Sequence, residues 1–368
     1  MNHDKALINY LFNHFSMHAS RITIMFEMIL SLIKVGNVQQ QKLAQGTSVK
    51  AKVSSITRRI QRFFAQEFLD QDRVSALIFS MFDWHDKITL TLDRTNWKFG
   101  VVDINFLVIC GIYKGYSIPL SWTILPHSGN SDTTCRINLL ERFLEVVPLN
   151  RVGFLLADRE FIGSDWFRYL QERGIPFCIR LKENMLVSDT YRGGVIKLKS
   201  LFRHVWSGRT REIGQVVKGV YLRIFGTRMT TGELLIIALS QGTDDIDPFE
   251  LYGQRWTIET MFKAFKTAGF NFEDTHQKHL DRLSKMMALL TIAYAWSIHI
   301  GAIKSSIKPI KNKLHGRPAF SLFSYGFQVI QTILLRGGKY RNRLIGLLAK
   351  ITLNKPFSRS DANVTVVY

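Results

Sequence analysis

The stretch from residue 87 to residue 182 constrains the fold more than any other. Lys87-Ile-Thr-Leu-Thr-Leu-Asp93 alternates polar and apolar residues with a period of two, as a strand with one buried face requires. Val101 to Tyr113 and Tyr116 to Leu125 predict two further strands, joined by a turn at Lys114-Gly115. Ser131 to Val146 has helical spacing and starts at Ser131 or Asp132. Val152-Gly-Phe-Leu-Leu-Ala-Asp158 is a continuous apolar run, which predicts a strand buried on both faces. Asp165 to Arg173 predicts a helix ended by Gly174, and Pro176 to Lys182 predicts one more strand. Three strands, a helix, a strand, a helix and a strand make a mixed α/β sheet with an antiparallel start.

The flanks differ. Residues 1 to 85 read as helical, with segments over Ile22 to Ile33, Asn37 to Ala44 and Ser54 to Phe64. The last carries Arg58, Arg59 and Arg62. That pattern suits either a small DNA-binding domain or a solvated basic helix face. Residues 185 to 245 are rich in glycine, with short β-rich runs such as Gln215 to Phe225 and Glu233 to Leu239, and predict a β-rich insertion. Residues 246 to 268 return to helix. Met286 to Ile303 is apolar enough to weigh as a membrane span. Thr291, Ser297 and His299 interrupt it, and a buried core helix is expected. The expected domains are therefore 1–85, a core of 86–184 with 246–300, an insertion at 185–245, and a basic region at 301–368.

Charge narrows the partners. The 368 residues include 46% hydrophobic residues and 26 phenylalanines, enough for a large core. The net charge of +20 favours a polyanion, most often nucleic acid. From Arg282 to Ser360 there are fourteen lysines and arginines and no acid, and such one-sign charge points to a phosphate backbone. Cys110, Cys135 and Cys178 lack metal-ligand spacing and read as small buried residues of a reducing compartment. With no signal-peptide pattern at the start, a cytoplasmic, nucleoid-associated protein is expected. His127 reads as a surface histidine. His276 and His279 have no further ligand nearby and do not read as a zinc site.

Three acids stand out by position. Asp93 is expected to close the alternating strand, and Asp158 the buried one. Glu259 belongs to a row of Tyr252, Arg255, Glu259 and Lys266, whose offsets of 0, 3, 7 and 14 fall on one helical face, with Lys263 at offset 11. Carboxylates at strand ends are costly unless paired or bound to a cation. With phosphate oxygens and water they form the ligand set of Mg²⁺ or Mn²⁺. Simple ion pairs, Asp93 with Arg94 and Asp158 with Arg159, are the alternative.

Asp93 within Leu-Asp-Arg-Thr-Asn-Trp, Asp158 within Ala-Asp-Arg-Glu-Phe-Ile, and the Tyr252, Arg255, Glu259, Lys266 set resemble a DDE transposase. More narrowly, they resemble the bacterial insertion sequence four family, whose Tyr-x2-Arg-x3-Glu-x6-Lys signature they fit without a gap, and the resemblance covers roughly residues 40 to 300. It implies an α/β, ribonuclease H-like catalytic core with a β-rich insertion, flanked by helical N- and C-terminal regions. It implies Asp93, Asp158 and Glu259 as ligands of two divalent ions, Mg²⁺ or Mn²⁺. It implies Tyr252, Arg255 and Lys266 as holders of transposon-end DNA. Arg255 offers phosphate a bidentate fork and Lys266 a point charge. Lys263 shares their face, and Arg180 and Lys182 leave a core strand near the active edge, so these are added as DNA contacts beside Arg58, Arg59 and Arg62.

The activity so implied is cut-and-paste transposition: cleavage at terminal inverted repeats and joining to target DNA, without an energy cofactor. Two ends held together imply a homodimer on double-stranded DNA. Where relatives form a hairpin, a flipped base stacks on an aromatic ring, and Trp97, Trp206 and Trp256 are candidates for that role. Two other readings keep the fold: a catalytically silent DNA-binding protein, and a ribonuclease H-like nuclease.

Overall fold

A computed structural model describes residues 3–66, 69–189, 193–240, 246–314 and 316–355. The chain divides into two units. The first is formed by Met1–Asp83, Trp97–Ile104 and Met261–Tyr368, the second by Trp84–Asn96 and Asn105–Thr260.

The first unit opens with five helices, α1 (His3–Phe15), α2 (Ala19–Val35), α3 (Gln40–Gly46), α4 (Val53–Gln66) and α5 (Gln71–Met81). Sequence pattern predicts α2, α3 and α4; α1 and α5 are additions. Helix α2 ends at Gly36, whose φ of 60° is left-handed and whose N–H bonds to the Leu32 carbonyl. Helix α4 is sharply amphipathic. Ile56, Ile60, Phe63 and Phe64 are buried, and Arg58, Gln61 and Arg62 are exposed. Asp70 caps α5 by accepting from the N–H groups of Asp72 and Arg73.

The second unit is built on strands β1 (Ile88–Phe99), β2 (Val102–Tyr113) and β3 (Tyr116–Ile124), followed by helix α6 (Thr133–Val146), β4 (Val152–Ala157), α7 (Ser164–Glu172) and β5 (Phe177–Arg180). Lys114 and Gly115, with φ of 48° and 78°, form the tight turn of the β2–β3 hairpin, as the Lys-Gly pair predicts. Strands β1 and β4 pair in parallel, as do β4 and β5, and the long crossovers this pairing demands carry α6 and α7.

Strands β6 (Leu186–Ser188), β7 (Val195–Lys197), β8 (Thr210–Val217), β9 (Val220–Arg228) and β10 (Leu234–Leu239) follow. The stretch is β-rich, but it does not stand apart from the main sheet. Only β6 and β7 form a separate two-stranded sheet. The others extend the main sheet, whose order is β3-β2-β1-β4-β5-β10-β9-β8. Strand β10 does this by pairing antiparallel with β5, Ala238 opposite Ile179. The 3-2-1-4-5 portion, with its antiparallel β2–β3 hairpin and parallel β1, β4 and β5, is ribonuclease H-like.

Residues 246–268 do not form one helix. Helix α8 (Pro248–Gly253) stops before α9 (Trp256–Lys266). Across the joint the amides of Gln254, Arg255, Thr257 and Ile258 bond three residues back instead of four.

The remainder returns to the first unit with α10 (Leu280–Ile307), α11 (Leu322–Arg336) and α12 (Gly338–Thr352). By length and composition α10 could cross a membrane, yet 83% of its apolar window is buried inside the protein, as a core helix is. It crosses α11 closely: a Cβ at Gly301 would strike the Leu322 carbonyl, and one at Gly326 the Ser297 carbonyl. The basic C-terminal region is therefore partly structural. Arg341 of α12 pairs with Glu27 at 3.0 Å, and Glu27 also accepts from Ser48. Its last residues, 356–368, lie outside the described ones.

Candidate active site

Two parallel strands place the first two acids. Leu92 of β1 lies opposite Ala157 of β4, so Asp93 and Asp158 emerge side by side where the pairing ends. The carboxyl ends of parallel strands are where open α/β sheets bind ligands. Asp93 does not close its strand as expected, because β1 runs on to Phe99. It stands at the end of the β4-paired portion, which serves the same purpose. The two acids share a local geometry: Asp93 Oδ1 accepts the Arg94 N–H at 2.7 Å, and Asp158 Oδ1 accepts the Arg159 N–H at 2.7 Å.

The Arg94 guanidinium turns away from Asp93. It donates to Glu160 at 3.0 and 3.1 Å and to Asn105 Oδ1 at 2.9 Å. That removes the simple Asp93–Arg94 pair as an alternative. Arg94, Asn105 and Glu160 are site residues that sequence pattern missed. Arg94 belongs to an Asp-Arg dipeptide inside β1, Asp93-Arg94, and Glu160 adjoins one directly after β4, Asp158-Arg159, whereas Asn105 carries no such signal.

The charge partner of Asp93 is Arg255. Its Nη1 donates to Asp93 Oδ2 at 3.0 Å and its Nη2 to Glu259 Oε1 at 2.6 Å. One guanidinium thus bridges two of the three acids. Arg255 is only 3% exposed, and its Nε has no partner within the protein. Its plane lies 5.1 Å from the Trp256 ring and 5.7 Å from the Tyr252 ring. Tyr252 donates its hydroxyl to Asp158 Oδ1 at 3.3 Å. The third acid is thereby tied to the same helical joint.

The joint between α8 and α9 explains this convergence. The tightened backbone directs Tyr252 and Arg255 toward the two strand acids, while Glu259 reaches back one turn to Arg255. Burial pushes the Asp93 carboxyl up from 3.8 to about 6. The Arg94 N–H and Arg255 oppose that rise, and the charges of Glu160 and Asp158 reinforce it. Burial also raises the Tyr252 phenol, against the pull of Arg255, so Tyr252 stays a neutral donor.

The other candidates are dispersed. Arg180 pairs with Glu233 at 2.5 Å and lines a cavity of about 390 Å³ with Arg159, Lys182, Glu183 and Asn184. Lys263 and Lys266 lie further along α9 and are grouped with the first unit, where Lys266 pairs with Glu273 at 2.9 Å and sits 5.4 Å over the Trp97 ring. Lys263 is exposed, and Arg58, Arg59 and Arg62 belong to α4. Of the three tryptophans, Trp97 is buried, whereas Trp206 and Trp256 are 78% and 54% exposed.

Among the described residues, no three histidine, cysteine, aspartate or glutamate side chains are arranged to hold a metal ion. The donors still fit one in kind. Asp93 and Asp158 are adjacent carboxylates, and the like charge around Asp93 is the condition a hard divalent cation relieves. The Arg255 guanidinium meets part of that need by bridging Asp93 and Glu259.

Residues 124–296 match the family model described as a transposase DDE domain, a span that includes Asp158, Tyr252, Arg255 and Glu259 and begins after Asp93. Comparison with curated proteins returns no match. Among solved structures, the chain is similar to the piggyBac transposase in a synaptic complex with hairpin DNA, at 11% identity and a TM-score of 0.48, covering 93% of this chain and 77% of that one. It is similar to an endonuclease V from Bacillus subtilis at 11% identity and a TM-score of 0.24, covering 53% of this chain and 84% of that one. At these scores neither likeness bears on the site. The family match supports a DDE transposase: the central part of this chain, residues 124–296, is similar to the transposase DDE domain.

Proposed function

We propose that this protein is a transposase of the bacterial insertion sequence four family, cutting and joining DNA at the terminal inverted repeats of a mobile element. The observation that carries this is the linkage of all three acids through two signature residues, Arg255 on Asp93 and Glu259, and Tyr252 on Asp158. An ion-pair cluster kept only for stability would gain little from a third acid left 46% exposed.

In this reading Asp93, Asp158 and Glu259 hold two divalent ions, Mg²⁺ or Mn²⁺. When bound, such ions activate an attacking oxygen and stabilise a leaving one at phosphorus. The chain's own residues prepare for this. Arg255 bridges Asp93 and Glu259 and holds the two carboxylates in line. With divalent ions on the two carboxylates, its fork would be available to a phosphate of the end DNA. Tyr252 orients Asp158 through one hydroxyl, and the Arg94–Glu160 pair ties β1 just beyond Asp93 to the loop that follows Asp158.

DNA is held by Arg180, Lys263, Lys266 and the basic face of α4. Lys266 must leave Glu273 to take part. The protein works as a homodimer on paired ends, in the bacterial cytoplasm at the nucleoid. The test is cleavage of duplexes bearing the inverted repeats that flank the coding region. Strand cleavage should require Mg²⁺ or Mn²⁺ and vanish in Asp93→Ala, Asp158→Ala and Glu259→Ala while DNA binding persists. Normal cleavage by any one of these variants would overturn the metal assignment.

A further inference from the structure

In the second unit three hydroxyls form a chain. Thr91 Oγ1 lies 3.3 Å from Ser117 Oγ, and Ser117 Oγ lies 2.6 Å from Thr257 Oγ1. Thr91 and Ser117 are fully buried, although β2 lies between their strands in the sheet. The chain has a direction. The Thr257 hydroxyl donates to the Gln254 carbonyl at 2.8 Å, and a carbonyl can only accept. Its single hydrogen is thus engaged, so Ser117 donates to Thr257 and Thr91 donates to Ser117. Each of the three hydrogens then has an acceptor. A core position kept for packing alone has no use for such a chain, because a buried hydroxyl costs free energy wherever it lacks a partner.

Both ends of the chain lie next to the acids in sequence. Thr91 and Asp93 are neighbours on one face of β1. Thr257 stands between Arg255 and Glu259, and Gln254 directly precedes Arg255. A regular helix would send the Ile258 amide to the Gln254 carbonyl, but Ile258 bonds to the Arg255 carbonyl at 3.1 Å. The Thr257 hydroxyl takes the place left open, beside the Thr257 amide at 3.2 Å. The tightened turn is thereby tied through Ser117 of β3 to the strand that carries Asp93. The same turn sets Arg255 Nη1 3.0 Å from Asp93 Oδ2 and its Nη2 2.6 Å from Glu259 Oε1. Without the hydroxyl the joint is free to relax toward regular helical bonding, which rotates Arg255 relative to Asp93.

We propose that Thr91, Ser117 and Thr257 are positioning residues: their hydroxyl chain holds the α8–α9 joint in its tightened form and so sets how Arg255 and Glu259 face Asp93. They act through the backbone at Gln254 and not by contact with substrate. The effect on cleavage rests on the transposase reading, while the hold on the joint rests on the hydrogen bonds themselves.

The test compares two variants of one residue. Thr257→Val keeps the shape of the side chain and removes the hydroxyl, whereas Thr257→Ser removes a methyl group and keeps the hydroxyl. Ser117→Ala interrupts the chain at its middle. Hydrogen exchange of the full chain, without DNA or metal, reads the joint. In Thr257→Val and Ser117→Ala the amides of Arg255, Thr257 and Ile258 should exchange about fivefold faster, the effect of one lost hydrogen bond, while β4 and β5 keep wild-type rates. Thr257→Ser should match the wild type. In cleavage of inverted-repeat DNA, Thr257→Val and Ser117→Ala should need about fivefold more Mg²⁺ for the half-maximal rate, with binding of that DNA unchanged. Thr257→Ser should need no more than the wild type. A packing role reverses the pattern, leaving Thr257→Val normal and Thr257→Ser impaired, and that result would overturn the proposal. So would wild-type exchange at the joint in both Thr257→Val and Ser117→Ala. Thr257 is only partly buried, so its two variants still decide the matter if Ser117→Ala fails to fold. A wild type without Mg²⁺-dependent cleavage would overturn the transposase reading, and the exchange pattern would still decide for or against the hydroxyl chain.

Discussion

Replacing Asp93 by asparagine should make the protein more stable at neutral pH and leave it nearly unchanged in acid. Burial raises the Asp93 carboxyl from 3.8 to about 6. A folded-state value above the unfolded one means that the native protein holds the proton more tightly. The resulting stabilisation is full below pH 3.8 and is lost as pH rises through about 6. A rise from 3.8 to about 6 corresponds to roughly 3 kcal/mol. The Asp93 side chain is 16% exposed, so solvent screening takes little from that figure. The amide of the Asp93→Asn variant cannot ionise and avoids the loss, although Arg255 then keeps only Glu259 as a carboxylate partner. Scanning calorimetry from about pH 3 to about pH 8 reads the difference. For a unit of this size each kcal/mol moves the midpoint about 2–4 °C, so the variant's advantage should grow by roughly 6–12 °C across the range. Millimolar Mg²⁺ at pH 8 should stabilise the wild type and not the variant. An advantage constant with pH to within about 1 °C would refute the reasoning, because Asp93 would then ionise as it does in the unfolded chain.

Other outcomes follow from the same geometry. Arg255→Met leaves Asp93 and Glu259 without their shared cation and should cost roughly 3–5 kcal/mol, with Mg²⁺ restoring more of the thermal midpoint in the variant than it adds to the wild type. Glu259→Gln should keep wild-type affinity for end DNA in a mobility-shift assay and lose metal-dependent cleavage by at least about a hundredfold, as a missing metal ligand would. Gly301→Ala places a methyl group against the Leu322 carbonyl and should lower stability by about 1–3 kcal/mol or more in thermal melts.

Much of the fold was legible along the chain because its signals are local. Alternation in Lys87 to Asp93, the apolar run ending at Asp158 and the Lys114-Gly115 turn each specify an element within a few residues, and each element formed close to where the pattern placed it. The glycine-rich stretch was recognised as β, but which sheet it joined was not. Leu234–Leu239 is equally apolar whether it forms its own sheet or pairs with β5. Helices α1 and α5 carry only thin apolar stripes and become visible as elements once packed.

The candidate site divides the same way. The residue types and spacing of Tyr252, Arg255, Glu259 and Lys266 were written in the sequence, as were Asp93 and Asp158 at strand positions. Periodicity placed the four on one continuous helical face, and tertiary structure overruled it. The backbone tightens between Gly253 and Trp256, so Tyr252 and Arg255 turn onto acids about 100 and 160 residues earlier in the chain while Lys266 finds Glu273. Sequence alone determined which chemical groups this protein possesses and which strands and helices carry them. Only the folded sheet decided that Asp93 is buried enough to hold its proton near pH 6, and that its counter-charge is Arg255 rather than the adjacent Arg94. Burial and charge pairing depend on which distant segments share a space, and strand pairing between Leu92 and Ala157 settles that.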